Sequence, residues 1–366
     1  MLAANWKNVL VLQTSFLGDT VLTLPLISEV RRRFAVGKLT LLCQPASREL
    51  LQDHPAIDEI IVDDKKKLDR GLPGLRRKAA ALATKNFTLA LTPHKSWRSA
   101  LMLCWAGIPA RVGFRQSRGW FLFHRTVSRD GARHDLERNL SLLEAFDIHA
   151  EQCNREISLP VTPALQASVD QKLAALGLNI NRPIVGIHPG SVWPTKRWSA
   201  AGFGRLIEDL RRNSNCQVAL FGGAEDGAVV RDVLDRCGQG AIDLGGQISL
   251  HELPAAIGRC RVFVTNDSAP MHIAVAERVA TVAVFCATTP ALGFYPYSQQ
   301  AIVVQKDLSC RPCTTHGGRR CPLGHQACSE LIPPASVLAA VEKFLRADVA
   351  HGEGPLRSFQ PEIFTV

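Results

Sequence analysis

Short apolar runs alternate with longer amphipathic stretches through the first half of the chain. The runs at 8–13, 38–43, 59–64, 87–93 and 111–114 are too short for buried helices and read as strands covered on both faces. The stretches between them, such as 19–33, 47–53, 68–84 and 96–106, carry apolar residues at helical spacing, and a further helix is predicted near 135–147. Such alternation predicts a parallel sheet with crossover helices. The two prolines of "ISLPVTPALQ", 157–166, read as a linker. The pattern then restarts, with strands expected at 183–188, 216–221, 241–244, 261–265, 280–285 and 301–304. Helices fit at 199–212, 225–237, 250–258, 270–278 and 334–346. The chain is therefore read as α/β, with two doubly wound domains over 1–165 and 166–350. The remainder, 351–366, has little periodicity and reads as a loosely ordered tail.

Length and composition fit this reading. The chain has 366 residues, 46% hydrophobic and 21% charged, an ordinary globular balance. No run of about eighteen uncharged apolar residues is present, so no membrane-spanning helix is expected. No signal-peptide pattern opens the chain, and a cytoplasmic location is expected. The net charge of +10 is unevenly placed: residues 1–150 hold 23 Lys and Arg against 14 Asp and Glu, the rest 20 against 19. A basic first half suits an anionic partner, whether nucleic acid, acidic lipid or a phosphorylated substrate, although a solvated surface would read the same way. Of the eleven cysteines, seven are scattered in apolar contexts, Cys43, Cys104 and Cys286 among them, and read as small buried hydrophobes.

Candidate chemistry lies where predicted strands run into helices, which is where such sheets bind ligands. In "SFLGDTVLTLP", 15–25, the first turn has one glycine, Gly18, and then Asp19. A phosphate cradle wants several glycines and bare N–H groups. Asp19 would repel phosphate and is otherwise a helix N-cap. In the second half, "PIVGIHPGS" leads to "VWPTKRWS", where Gly190, Ser191 and Lys196 together suit a diphosphate. In "LFGGAEDG" Glu225 could bind ribose hydroxyls or cap a helix. In "VTNDSAPMHIA" Asp267 precedes Ser268 and Ala269, whose N–H groups would open a helix and bind an anion. Three such turns in one domain read as one nucleotide-diphosphate pocket.

"SFLGDTVLTLP", "HPGSVWPTKRW", "FGGAEDG" and "NDSAPMHIA", in this order, resemble the ADP-heptose:lipopolysaccharide heptosyltransferases, inverting enzymes with two Rossmann-like domains facing across a cleft, the GT-B arrangement. The resemblance spans roughly residues 8–346. Within the family, "TPHKSWRSALMLCWAGIPARVGF" and the cysteine-bearing segment look most like heptosyltransferase II, which adds the second inner-core heptose. The resemblance implies that Asp19 is the catalytic base and that Lys196 and Ser191 contact phosphate. It implies that Asp267, Ser268, Ala269 and His272 belong to the donor stretch and that Glu225, with Asp226 as its rival, binds ribose. No metal is then needed for catalysis, because Lys196 and a helix end carry the charge of the departing ADP. The implied acceptor is the anionic lipid A–Kdo inner core, reached by peripheral association at the cytoplasmic face of the inner membrane. Lys95, Arg98, Arg115 and Arg118 are the candidates for holding it.

The segment "CRPCTTHGGRRCPLGHQAC" places Cys310, Cys313, Cys321 and Cys328 close together. This spacing suits a closed structural zinc or iron site, with His316 or His325 able to replace one ligand, or else four reduced thiols in a loop. Two other functions fit parts of the pattern. One is another nucleotide-sugar-dependent transferase of the same two-domain form. The other is a basic, metal-knuckle nucleic-acid binder, against which an aromatic content of 6% argues, because base stacking needs aromatic rings.

Overall fold

The computed structural model describes residues 6–347 and 359–366. It divides into two compact units, Met1–Pro160 and Val161–Val366. In the first unit, β1 (Asn8–Gln13), β2 (Lys38–Cys43), β3 (Glu59–Val62), β4 (Leu89–Thr92), β5 (Ala110–Phe114) and β6 (Arg125–Val127) form one sheet in the order β3-β2-β1-β4-β5-β6. Every pairing is parallel. The second unit contains β7 (Ile184–His188), β8 (Gln217–Leu220), β9 (Ile242–Asp243), β10 (Val262–Asn266), β11 (Ala280–Phe285), β12 (Ala301–Gln305) and β13 (Glu362–Thr365), ordered β13-β12-β11-β10-β7-β8-β9. These pairings are parallel too. Both are α/β sheets whose strand order reverses beside the first strand, β1 in one unit and β7 in the other.

The central strands are buried along their length, as expected where helices cover both faces. Val9, Leu10, Val11 and Leu12 of β1 have no exposed surface. The core of the second unit is built around Trp198, which is 1% exposed and meets Phe203 edge-on at 4.9 Å. Its indole N–H donates to the Ile332 carbonyl at 3.3 Å, so the ring is buried without leaving its polar edge unpaired. Five of the seven scattered cysteines, Cys43, Cys153, Cys237, Cys260 and Cys286, are buried, whereas Cys104 and Cys216 are half-buried.

Several elements differ from expectation for local reasons. The helix expected over 19–33 is two helices, Leu17–Val21 and Leu24–Arg33, because Pro25 has no N–H to continue the first and instead opens the second. The linker reading of 157–166 covers the start of a helix, Pro163–Ala175, which Thr162 caps by accepting from the Leu165 N–H at 3.2 Å. The tail expected to be loose departs most. Its residues 351–358 lie outside the described residues, but Glu362–Thr365 forms β13, paired with β12 from Ile302↔Glu362 to Gln305↔Thr365. Phe364 and Val366 pack against the core of the second unit and anchor that strand.

Candidate active site

In the second unit, the ends of β7 and β10 are stapled by Asn266. This side chain is fully buried, and its amide donates to the carbonyls of Pro189 at 2.8 Å and Gly190 at 3.2 Å. Its carbonyl oxygen accepts from the Trp198 N–H at 2.9 Å. One amide thus satisfies three backbone groups of the loop that carries Lys196. The result is an ion pair: Lys196 Nζ lies 2.7 Å from Asp267 Oδ2, and the two side chains are only 14% and 6% exposed. Thr288 Oγ1 donates to the same Asp267 oxygen at 2.7 Å. Motifs that are 71 positions apart in the sequence are joined here by the parallel register Thr265↔His188.

The other expected donor residues gather at the same strand ends. Ser268 is the extended residue before the helix Ala269–Ala276, with Pro270 in the first turn. No side chain caps this helix start, so its first N–H groups remain suited to an anion. Ser268 Oγ lies 3.2 Å from Thr265 Oγ1. Ser191 is buried, and its carbonyl accepts two bonds from Arg197, at 2.9 Å and 2.6 Å. His272 is buried on the helix, with Nδ1 lacking a hydrogen-bond partner. Burial pushes its pKa down to about 4, so the imidazole is neutral at pH 7 and adds no charge beside Lys196.

Glu225 and Asp226, alternatives in the sequence, part company here. Asp226 turns inward: Oδ2 lies 3.3 Å from His188 Nε2 and accepts from the Gly223 N–H at 3.1 Å. Burial opposes its ionisation, but the bonds from His188 and Gly223 outweigh this and lower its pKa. A Cβ at position 190 would lie 2.2 Å from Asp226 Oδ1, so this carboxylate accounts for a glycine at 190 without any ligand. Glu225 is exposed in the short turn Ala224–Asp226 and is the carboxylate still open to solvent.

The cysteine segment is tied to the lysine loop. Thr195 Oγ1 donates to the Gly318 carbonyl at 3.0 Å and accepts from the Gly318 N–H at 2.7 Å. Gly317 has a φ of +83°, and a Cβ there would lie 2.8 Å from Lys196 Cγ. Arg311 donates to the carbonyls of Phe285 and Thr288 at 2.8 Å and 2.5 Å, bracing the residue that holds Asp267. Cys313, Cys321 and Cys328 line one small cavity with Thr195 and Ala287. Burial raises Cys328 to about 11, whereas N–H groups from Gln326 and its neighbours lower Cys321. Among the described residues, no group of three or more His, Cys, Asp or Glu side chains is drawn together as a ligand shell.

In the first unit, Asp19 sits in the helix Leu17–Val21 at the end of β1. The N-cap of this helix is Phe16 rather than Asp19; Asp19 is its third residue, and its Oδ2 reaches back to accept from the Phe16 N–H at 3.1 Å. Two neighbours were not singled out from the sequence. Lys65 donates to the Thr14 carbonyl at 2.6 Å and lies within electrostatic reach of Asp19; burial lowers its pKa. His94 Nδ1 lies 3.1 Å from Thr14 Oγ1 and 2.8 Å from Ser99 Oγ, and burial holds its pKa at about 4. Only their position after β3 and β4 could have signalled them.

Of the four cations expected to hold an acceptor, Lys95, Arg115 and Arg118 are exposed. Arg98 is not available in the same way. It binds Asp63 at 2.9 Å and the carbonyls of Asp69 and Gly71 at 2.8 Å and 3.1 Å. The Asp63 side chain is fully buried and requires this counter-charge.

The model of glycosyltransferase family 9 (heptosyltransferase) matches residues 75–323. Over 309 residues the chain is 27% identical to lipopolysaccharide heptosyltransferase 2 of Salmonella typhimurium, covering 81% of this chain and 88% of that one. A solved glycosyl transferase family 9 structure from Veillonella parvula superposes with a TM-score of 0.82 at 24% identity, over 93% of this chain and 98% of that one. The iron-containing dodecameric glycosyltransferase TibC of enterotoxigenic E. coli superposes with a TM-score of 0.58 at 17% identity, over 94% and 78%. Sheets, strand-end motifs and matched length agree, and the chain belongs to glycosyltransferase family 9, the heptosyltransferases.

Proposed function

We propose that the chain transfers heptose from ADP-heptose to the lipid A–Kdo inner core of lipopolysaccharide, with inversion at the anomeric carbon, as the enzyme that adds the second heptose to the first. The observation that carries the reading is the Lys196–Asp267 pair beside an uncapped helix start in the second unit. A diphosphate needs cationic and N–H donors, and a sugar needs a carboxylate for its hydroxyls. On donor binding, Lys196 exchanges Asp267 for phosphate, and Asp267, still held by Thr288, turns to the heptose. Ser191 and the N–H groups of Ser268 and Ala269 share the phosphate charge. Glu225 takes the ribose, and Gly190 lets the loop approach closely.

The acceptor hydroxyl gives its proton to Asp19 as its oxygen attacks the anomeric carbon. The bond to the phosphate oxygen breaks on the opposite face, and its electron pair leaves with ADP. Lys196 and the helix start stabilise that charge. Lys95, Arg115 and Arg118 suit the carboxylates and phosphates of the acceptor. Because such an acceptor is lipid-anchored, the chain works at the cytoplasmic face of the inner membrane. Among the described residues, no helix is long and apolar enough to cross a membrane, which is compatible with peripheral association.

The direct test is mass spectrometry of the product formed from ADP-heptose and defined truncated cores. One heptose is expected to be added to an acceptor that already bears the first, without competition from UDP-sugars. Transfer from a UDP-sugar instead would replace the donor assignment.

Asp19→Asn keeps an oxygen for the Phe16 N–H but loses basicity. Turnover is expected to fall roughly 10²- to 10⁴-fold, with ADP affinity and melting temperature nearly unchanged. Wild-type turnover in steady-state assays of this variant would remove Asp19 from the chemistry.

Lys196→Met removes the phosphate contact and strands the Asp267 charge. ADP binding by calorimetry should weaken roughly 10- to 100-fold, and stability should fall by about 3 kcal/mol or less given partial exposure. Adding Asp267→Asn should restore stability without restoring transfer. Chelating Mg²⁺ should leave wild-type transfer intact; a strict requirement for it would contradict the role given to Lys196.

The cysteine segment completes the reading. Four thiols of soft donor character suit zinc or iron, and three of them already line one cavity. Cys310, Cys313, Cys321 and Cys328 would hold the ion, which supplies a structural cross-link and no reaction step. Elemental analysis of untagged protein is expected to find about one equivalent of zinc or iron. Metal-free protein with four freely titrating thiols under anaerobic conditions would show a reduced loop.

A further inference from the structure

Of the seven large apolar side chains exposed among the described residues of the first unit, the four contributed by Trp97, Trp105, Trp120 and Phe121 form one ridge. The helix Trp97–Trp105, which follows β4, turns Trp97 and Trp105 to solvent, 43% and 41% exposed, with Leu101 and Cys104 half-exposed between them. This is an outward stripe at helical spacing, on the side away from the buried Ala100, Met102 and Leu103. The turn Trp120–Leu122 lies beside it: Trp120 and Phe121 are 53% and 57% exposed, and the Phe121 ring is 5.5 Å from that of Trp97. Three of the chain's six tryptophans therefore stand on one surface, where burial would ordinarily be favoured.

The stretch of sequence that carries the ridge is rich in cations, five of which, Arg77, Lys78, Lys85, Arg98 and Arg129, pair with acids outside it. Residues 70–129 hold twelve Lys and Arg and no Asp or Glu. Arg76 places its guanidinium 5.7 Å from the centre of the Trp105 ring, and exposed Arg118 follows Lys95, whose carbonyl accepts from the Arg118 N–H at 3.2 Å. Indole rings with guanidinium groups at their rim suit the boundary between water and acyl chains, where the ring is buried and the cation meets a phosphate. A second copy of the chain would set the exposed cations Arg76 and Arg118 against like charges.

We propose that this aromatic ridge, Trp97, Trp105, Trp120 and Phe121, is the surface by which the first unit docks on an anionic phospholipid bilayer. The inference rests on the reading above, in which the acceptor is lipid-anchored, and gives that association a place. The ridge begins at the N-terminal end of its helix, at the carboxyl end of β4. That is also the end of the sheet at which Asp19 follows β1, and His94 bridges the two loops through Thr14 and Ser99. A bilayer under the ridge therefore brings its lipid-linked sugars to the end of the sheet that carries Asp19.

The test is sedimentation of the full chain with vesicles of phosphatidylcholine alone or mixed with phosphatidylglycerol. Binding is expected only to the mixed vesicles and should weaken with salt. Trp120→Ser with Phe121→Ser should lower partitioning by roughly tenfold or more. Arg76→Gln, which leaves the ridge aromatics in place, should lower it by a factor of several, about what one basic residue near the surface supplies. Transfer to a lipid-free core oligosaccharide should be unchanged in the aromatic double variant, which also confirms that it folds. Absence of wild-type binding, or equal binding by wild type and both variants, would overturn the proposal. So would a dimer in sedimentation velocity that the double variant dissociates, which would make a second copy the occupant. Vesicle binding by wild type with no transfer to the soluble acceptor would instead sink the enzymatic reading and leave the docking surface standing.

Discussion

The buried pair between Lys196 and Asp267 is the constraint around which the second unit is arranged. Two charges taken out of water at 2.7 Å are tolerated only when their remaining hydrogen-bonding capacity is met. Thr288 meets part of it from the carboxylate side. The backbone position of Lys196 is fixed by Asn266, which binds Pro189, Gly190 and Trp198 with a single amide. Each of these supports comes from a different strand end, so the pair forms only when β7, β10 and β11 are in register. A buried ion pair of this kind stabilises weakly by itself, and removing one partner is what is destabilising. In the proposed function, its value lies in holding a cation and an anion ready for a ligand that offers each a better partner.

The cysteine segment is more involved in this arrangement than its sequence suggests. Read from spacing alone, it is a detachable structural loop. In the structure Gly318 exchanges two hydrogen bonds with the Thr195 hydroxyl, Gly317 lies against the Lys196 stem, and Arg311 holds the carbonyl of Thr288. Whatever stiffens this segment therefore stiffens both partners of the ion pair. A metal bound there would act on donor affinity through loop position, although it touches no substrate.

The strands legible in the sequence are those buried on both faces. β1, β2 and β11 have the bounds their apolar runs imply, because in a parallel sheet burial leaves no alternation to blur the edges. β6, Arg-Thr-Val, and β13, Glu-Ile-Phe-Thr, escaped notice because edge strands need little apolar surface and gain their stability from one neighbour. The strand-end loops stood out as candidate sites because Gly, Ser, Lys and Asp gather there at successive strand ends of one domain. Their pairing did not, since Lys196 meets Asp267 only through a register the chain does not announce. Arg98 shows the same limit from the other side. Its place in a basic run suggests a ligand, yet Asp63, which lies 35 positions earlier and has its side chain fully buried, claims it. A buried carboxylate can be located only once the fold is known.

Two sheets of the same inner order thus carry opposite chemistry at equivalent points. In each, the strand order reverses between the first strand and the fourth: β1 beside β4, and β7 beside β10. Loops leaving adjacent parallel strands in opposite directions open a crevice there, which is why both sets of polar residues gather at that point. In the second unit the crevice holds Lys196 and an uncapped helix start, donors suited to phosphate. In the first, the corresponding turn is closed by its own side chain: Asp19 accepts the Phe16 N–H that would otherwise face an anion. The bond to the helix start and the proposed base are therefore not rival readings of Asp19. This bond takes up one N–H of the turn, sets a carboxylate beside the rest, and fixes that carboxylate at the mouth of the strand. In the proposed function, the carboxylate that acts as base is held by the same bond that occupies an N–H of its own turn.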